Sequence, residues 1–290
     1  MFRIGEIEIY LFNDATTWVD PGGMFGLVPR VLWSRYHVAD ARNLIQTANH
    51  NLLIRAAGRN IIVDTGYGNC LSESQRRRGG ITDFDGTHRG LQSLGIASAD
   101  IDIVIDTHLH DDHCTGNFRL SADGSRAPAF PNAEYLAQRR EYEDAIHPNE
   151  RTRATYLPDN YVPLYESGQL RLLDGDCEVV SGVSVLKTPG HTPGHTSVRI
   201  ESGGQHAAFL CDLASLAVHF ERLAWMTAYD VEPLVTLETK RAWQGWALET
   251  NALLIFPHDI VGPAGRLTLD SRDRPKFQPE DVAYDNPIDD

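Results

Sequence analysis

DTHLHDDHCTGN, residues 106–117, sets three histidines and three aspartates within a dozen positions. Within it His108, His110, Asp112 and His113 form the pattern H-x-H-x-D-H. Imidazole nitrogens and carboxylate oxygens are the ligand set of zinc and similar divalent ions, and three or four protein ligands with one open position define a catalytic site. This cluster supplies more ligands than one such ion needs beside further partners, so it is expected to serve two. Alternation along a strand turns His108, His110 and Asp112 to one side. Bringing His113 to the same side requires a turn starting near Asp111, and Gly116 supports one.

The missing ligands are expected at strand ends later in the chain. LKTPGHTPGHTS places His191 after a strand and a Pro-Gly turn, AAFLCDLAS ends an apolar strand on Asp212, and LLIFPHD ends another on His258. Strands that terminate on ligand-type residues assemble a site at one rim of a sandwich, with rigid strands holding the ligands and loops framing the substrate. His37, His50, His88, His147 and His206 carry no such pattern and read as ordinary histidines. His219, seven residues past Asp212, stands between a pocket residue and a core histidine.

The elements that must position these residues are legible as strands first. RIGEIEIYLF alternates, NLLIRAAGRNIIVDTG is two apolar runs about a turn at Gly58, and IDIVIDTHLH runs as a strand into the motif. GTHRGLQSLGI, EYLAQRREYEDAI and PLVTLETKRAWQGWALET read as helices, whereas GVSVLKTPGH, HTSVRIES, HAAFLCD and NALLIFPHD read as strands. Strand groups with interspersed helices, twice over, predict an α/β fold of two face-to-face sheets with helices outside. No linker divides the halves, so residues 1–290 are expected to form one domain, with 263–290 a polar, acidic tail.

The chain has 290 residues and a net charge of −14, which repels a phosphate backbone and argues against a nucleic-acid partner. Its one run of three basic residues, Arg76-Arg77-Arg78, reads as a solvated face. No apolar run is long enough to span a membrane. Arg3, Glu6 and Glu8 interrupt the apolar pattern of the N-terminal stretch, which is therefore read as a first strand rather than a secretory signal, and the protein as cytoplasmic. Cys70, Cys114, Cys177 and Cys211 lie far apart without metal or redox spacing, consistent with reduced thiols.

H-x-H-x-D-H, then T-P-G-H-T-P-G-H, then apolar strands ending on Asp212 and on His258, resembles the metallo-β-lactamase superfamily over residues 49 to 259. The resemblance implies an αββα four-layer sandwich. It assigns His108, His110 and His191 to one divalent ion and Asp112, His113 and His258 to a second, with Asp212 bridging. Zinc is the expected metal, with manganese, iron or cobalt accommodated by the same ligands. His195 is then a supporting residue, and Asp64 braces the metal loop. Asp111 stands where the lactonase-like branch usually has an aromatic or apolar residue. Cys114 and Cys211 replace small residues beside ligands, where they could tune the site or expose it to oxidation.

Hydrolysis by a metal-bridging hydroxide is the reaction so implied, with Asp112 or Asp212 as proton shuttle. The expected substrate is a small lactone or ester; thioester, phosphotriester and β-lactam hydrolysis fit the same site, and an iron-containing redox protein is the rival of another class. The apolar stretch 18–36 resembles the segment that, in quorum-quenching lactonases and methyl-parathion-hydrolase-like enzymes, covers the active site and helps form a homodimer. Met24, Phe25, Leu27 and Trp33 from it, with Ser215 and His219, are the candidate substrate contacts. Three residues after Asp212, where acyl-homoserine lactonases often carry a tyrosine as oxyanion donor, this chain has Ser215.

Overall fold

The computed structural model describes residues 1–282, 284 and 285. In chain order its strands are β1 (Phe2–Ile4), β2 (Ile7–Val19), β3 (Ile45–Ala56), β4 (Arg59–Val63), β5 (Ile81–Asp83), β6 (Ile103–Ile105), β7 (Phe118–Leu120), β8 (Arg126–Pro128), β9 (Glu134–Gln138) and β10 (Leu170–Leu173). They continue as β11 (Cys177–Val180), β12 (Val183–Lys187), β13 (Thr196–Ser202), β14 (Gln205–Phe209), β15 (Leu253–Ile255), β16 (Ala264–Leu269) and β17 (Pro275–Pro279). The helices are α1 (Pro21–Phe25), α2 (Arg30–Trp33), α3 (Glu73–Arg78), α4 (Gly86–Ser93), α5 (Asp111–Cys114), α6 (Arg139–Ile146), α7 (Val162–Glu166), α8 (Ala217–Glu221) and α9 (Pro233–Thr250).

The first sheet runs β1-β2-β3-β4-β6-β9-β10, with β5 beside β2, and the second runs β11-β12-β13-β14-β15-β16-β17. Period-two alternation decides how they stack. Leu52, Ile54, Ile61 and Val63 of the first sheet meet Val185, Val198, Phe209 and Ile255 of the second in the central core. The residues between them face outward: Leu53, Ile62 and Val104 pack with Leu91 of α4 and Tyr142 of α6. On the other side Ala208, Leu254 and Phe256 pack with Ala247 and Trp243 of α9. Helices thus cover the outer face of each sheet, the four-layer αββα arrangement.

β4 pairs in parallel with β6, and β14 with β15, so their C-terminal ends open onto one rim. β12 is antiparallel to β13, and β13 to β14, so the loop after β12 reaches the same rim.

Three expectations are corrected. EYLAQRREYEDAI is not a helix throughout: Glu134–Gln138 is the buried strand β9, held between β6 and β10, and α6 begins only at Arg139. Tertiary pairing here overrides a helix-like local pattern. The strand leading into the metal motif ends at Ile105, and the turn anticipated near Asp111 is the short helix α5. The stretch expected to be a tail contributes β16 and β17 to the second sheet, and its positions 283 and 286–290 lie outside the described residues. Among the described residues, no helix is long and apolar enough to cross a membrane.

Candidate metal centre

The rim gathers the candidate ligands from the loops after β6, β12, β14 and β15. His108, His110 and His191 offer ring nitrogens that all lie within 4.8 Å of one another, and so do the ligand atoms of Asp112, His113 and His258. His110 Nδ1 is 3.1 Å from Nε2 of both His108 and His191. Asp212 spans the two groups. Its Oδ2 is 3.2 Å from His191 Nε2 and 3.7 Å from His113 Nε2, while its Oδ1 is 3.3 Å from His258 Nε2.

The partners behind the rings fix which nitrogen carries the proton. His258 Nδ1 lies 2.9 Å from the carbonyl oxygen of Ala48, which can only accept, so its Nε2 presents a lone pair to the centre. His113 Nδ1 donates to Asp64 (2.9 Å) and His191 Nδ1 to Asp230 (2.9 Å), with the same result. Thr107 gives its own hydroxyl proton to Asp64, so its Oγ1 can accept from His108 Nδ1 at 3.2 Å. His113 Nε2 is buried without a hydrogen-bond partner among the described residues. Several bare imidazole nitrogens facing one another and a carboxylate are costly to bury unless a cation sits among them. The donor set therefore fits one or two divalent ions.

Electrostatics point the same way. Burial, then the neighbouring imidazoles, hold His108 and His110 well below the usual histidine range. Burial also disfavours charge on His113, His191 and His258, but nearby carboxylates outweigh it and raise all three. The carboxylates thus favour positive charge at the centre these rings surround. Burial and then the Asp112 carboxylate push Asp111 up to about 7.

A layer of bracing residues sets the ligand geometry. Asp64, at the end of β4, adopts φ +56 and receives both Thr107 N (2.8 Å) and Thr107 Oγ1 (2.9 Å) besides His113. Gly116 packs so tightly on this turn that a Cβ there would lie 2.1 Å from Thr65 O. Glu141 of α6, fully buried, accepts from Leu109 N (3.0 Å), Tyr156 Oη (2.9 Å) and Thr192 Oγ1 (2.5 Å), tying together the loops that carry His108, His110 and His191. His195 is a supporting residue, bonded through Nδ1 to Thr188 Oγ1 at 2.8 Å, and burial drives it down to about 3. Cys211 lies behind the rings, 3.6 Å from His113 Nδ1, and burial keeps its thiol protonated. Cys114 is buried and its thiol raised likewise.

Above the ligands lies an open cleft of about 180 Å³, whose lining includes Val19, Met24, Asn49, Tyr67, Asp111, Thr155, Ser215, Thr227 and Tyr229. Of the candidate substrate contacts, Met24 and Ser215 line it. The others do not. Phe25 and Trp33 are buried and stacked on each other at 5.4 Å, the hydrophobic anchor beneath the N-terminal segment. Leu27 is fully exposed, and His219 is buried edge-on against Phe25 with neither ring nitrogen bonded among the described residues. Sequence reasoning missed Asp230, Glu141, Tyr67 and Tyr229. Asp230 is 39 residues from the ring it braces, and no local pattern signals such a contact.

Comparison with known proteins agrees with this architecture. Residues 47–239 match the model of the metallo-beta-lactamase superfamily, two thirds of the chain, which therefore belongs to that superfamily. An N-acyl homoserine lactonase from a Bacillus species is 32% identical over 187 residues, 64% of this chain and 66% of its own length. The chain thus spans just under two thirds of that relative. A crystal structure of a probable metal-dependent hydrolase from Staphylococcus aureus superposes with a TM-score of 0.88 at 31% identity, covering 97% of this chain and 100% of its own. AidC, a dizinc quorum-quenching lactonase in complex with a product, shares the fold at 20% identity with a TM-score of 0.78 and 97% coverage of both chains.

Proposed function

We propose that this protein is a dinuclear metal-dependent hydrolase of a small lactone or ester. The observation that carries the reading is the convergence of bare imidazole nitrogens on Asp212 beneath an open cleft. In this reading His108, His110 and His191 hold one ion, Asp112, His113 and His258 the other, and Asp212 both. Two ions so bound would supply a water acidified to a pKa near ~7 as nucleophile and polarise the scissile carbonyl. Zinc is the preferred metal, in keeping with the nitrogen and oxygen donors. Asp112 and Asp212 are the groups placed to pass a proton to the leaving group.

The chain acts as one domain, and the segment around α1 forms one wall of the cleft through Val19 and Met24. That wall favours an apolar acyl or aromatic group on the substrate. The lactonase relatives support a lactone as first choice.

Metal analysis of the purified protein should return close to two ions per chain. A panel of lactones, aryl esters, thioesters, phosphotriesters and β-lactams should show hydrolysis of at least a lactone or an ester, abolished in Asp212→Ala. One ion per chain with full activity, or no turnover in the metal-replete protein, would overturn the reading.

A further inference from the structure

The hydrolase reading leaves one requirement without a residue. When a carbonyl is attacked, negative charge develops on its oxygen, and a preorganised hydrogen-bond donor aimed there contributes strongly to rate. The hydroxyl and amide donors that line the cleft are Thr17, Thr47, Asn49, Tyr67, Thr155, Ser215, Thr227 and Tyr229. Most are engaged within the protein. Thr17 and Thr47 bond each other at 2.6 Å, which uses one of their two hydroxyl protons, Asn49 Nδ2 donates to Asp112 O, and Thr155 Oγ1 donates to Thr152 O. Ser215 Oγ donates to Asp212 Oδ1 at 3.0 Å, and Thr227 Oγ1 to Asp230 Oδ1 at 2.9 Å. The phenols of Tyr67 and Tyr229 make no hydrogen bond within the described residues.

We propose that Tyr229 is the catalytic hydrogen-bond donor to the substrate carbonyl oxygen as charge develops on it; this rests on the hydrolase reading above. The phenol keeps its proton throughout and lends only the bond. Its position is fixed by the backbone around it. Next in sequence is Asp230, whose carboxylate holds His191. Val231 N donates to His191 O and Glu232 N to Gly190 O, so the loop carrying Tyr229 moves with that ligand. Arg151 Nη2 donates to Ala228 O (2.6 Å) and Asp230 O (3.3 Å), and Ala228 N donates to Gly23 O (2.8 Å) in α1.

The phenol itself lies against Gly23, where a Cβ would come within 2.4 Å of its oxygen. Tyr229 is half-exposed and lines the cleft. Partial burial, then Asp112, Asp20, Asp111 and Asp212, raise its pKa and keep it a donor at neutral pH. Tyr67, by contrast, is raised by burial first and then by Asp112 and Asp111, and its backbone N–H is anchored on Asp14 at 2.9 Å rather than on the His191 loop.

The test compares wild type, Tyr229→Phe, Tyr67→Phe and Gly23→Ala, each checked for equal metal content. With an aryl ester and a lactone, Tyr229→Phe should lower kcat about a hundredfold with KM changed less than about threefold, a loss confined to the transition state. Gly23→Ala, which crowds the phenol, should lower kcat in the same sense. An alkyl phosphonate, which carries anionic oxygens in tetrahedral array, should bind Tyr229→Phe at least about tenfold more weakly by calorimetry. Calorimetry needs no turnover. If wild type hydrolyses nothing, the hydrolase reading fails, and equal phosphonate affinity in Tyr229→Phe overturns the Tyr229 assignment separately. An unchanged kcat in Tyr229→Phe, or a comparable loss in Tyr67→Phe alone, also overturns it.

Discussion

Replacing Asp230 by alanine should loosen one half of the metal centre and spare the other. Asp230 is almost completely buried and accepts from both His191 Nδ1 and Thr227 Oγ1 at 2.9 Å. Alanine strands a buried imidazole N–H, removes the carboxylate that fixes the ring's tautomer, and frees the ring to rotate away from Asp212. Loss of such a partner typically costs about 10- to 100-fold in metal affinity, or roughly 1.4 to 2.7 kcal/mol. Asp230→Asn keeps an acceptor oxygen but not the charge, so its effect should stay below about tenfold. Competition with a chromophoric chelator on the zinc-loaded protein reads both equivalents. One should weaken and the other should not. Asp64→Ala, which strips the partner of His113, should weaken the opposite equivalent. An Asp230→Ala variant that is folded by circular dichroism and holds both ions as tightly as wild type would rule out this role for Asp230.

Three further outcomes follow from features away from the ligands or beneath them. Burial, then Arg119, push His88 down to about 4, against the opposing pull of Asp85. The unfolded chain therefore takes up this proton near pH 6.5 and the folded chain only near 4. Stability from this group is present above 6.5 and lost as pH falls towards 4, by at most about 1.4 kcal/mol per pH unit. Urea midpoints between pH 7 and 4 should fall less steeply in His88→Gln, and parallel slopes would contradict the assignment. Gly116→Ala should destabilise the fold by about 1 to 3 kcal/mol, because the added methyl meets Thr65 O; chemical denaturation measures it. Glu141→Gln turns an amide towards at least one of three donors and should cost about 1 to 3 kcal/mol, together with weaker metal binding read by the same chelator competition.

Much of the centre was legible because metal chemistry restricts residue type. H-x-H-x-D-H needs histidine and aspartate at fixed spacing, and His191, Asp212 and His258 each come after a short run that reads as a strand. The cleft was less legible. Phe25 and Trp33 were expected against substrate because they are large and apolar in a loop, but the same properties make them the anchor that holds the loop down. Tyr67 and Tyr229 are set in loops with no periodic signal, and only the folded chain brings them to the cleft that the ligands line.

Ligand identity and hydrophobic patterning are local properties, so the chemistry on offer, the strands that carry it and the sandwich those strands imply can be read along the chain. Tertiary structure decided the rest. It converted Glu134–Gln138 from a helical pattern into a central strand, because two neighbouring strands were waiting to pair with it. It built β16 and β17 from a polar segment by giving them a sheet edge to extend. It also chose Asp64, Asp230 and Ala48 O as the partners that leave a lone pair on each ring facing inward. Such partners lie tens to hundreds of residues away in sequence, and a proton's position on an imidazole is set by what the other nitrogen touches.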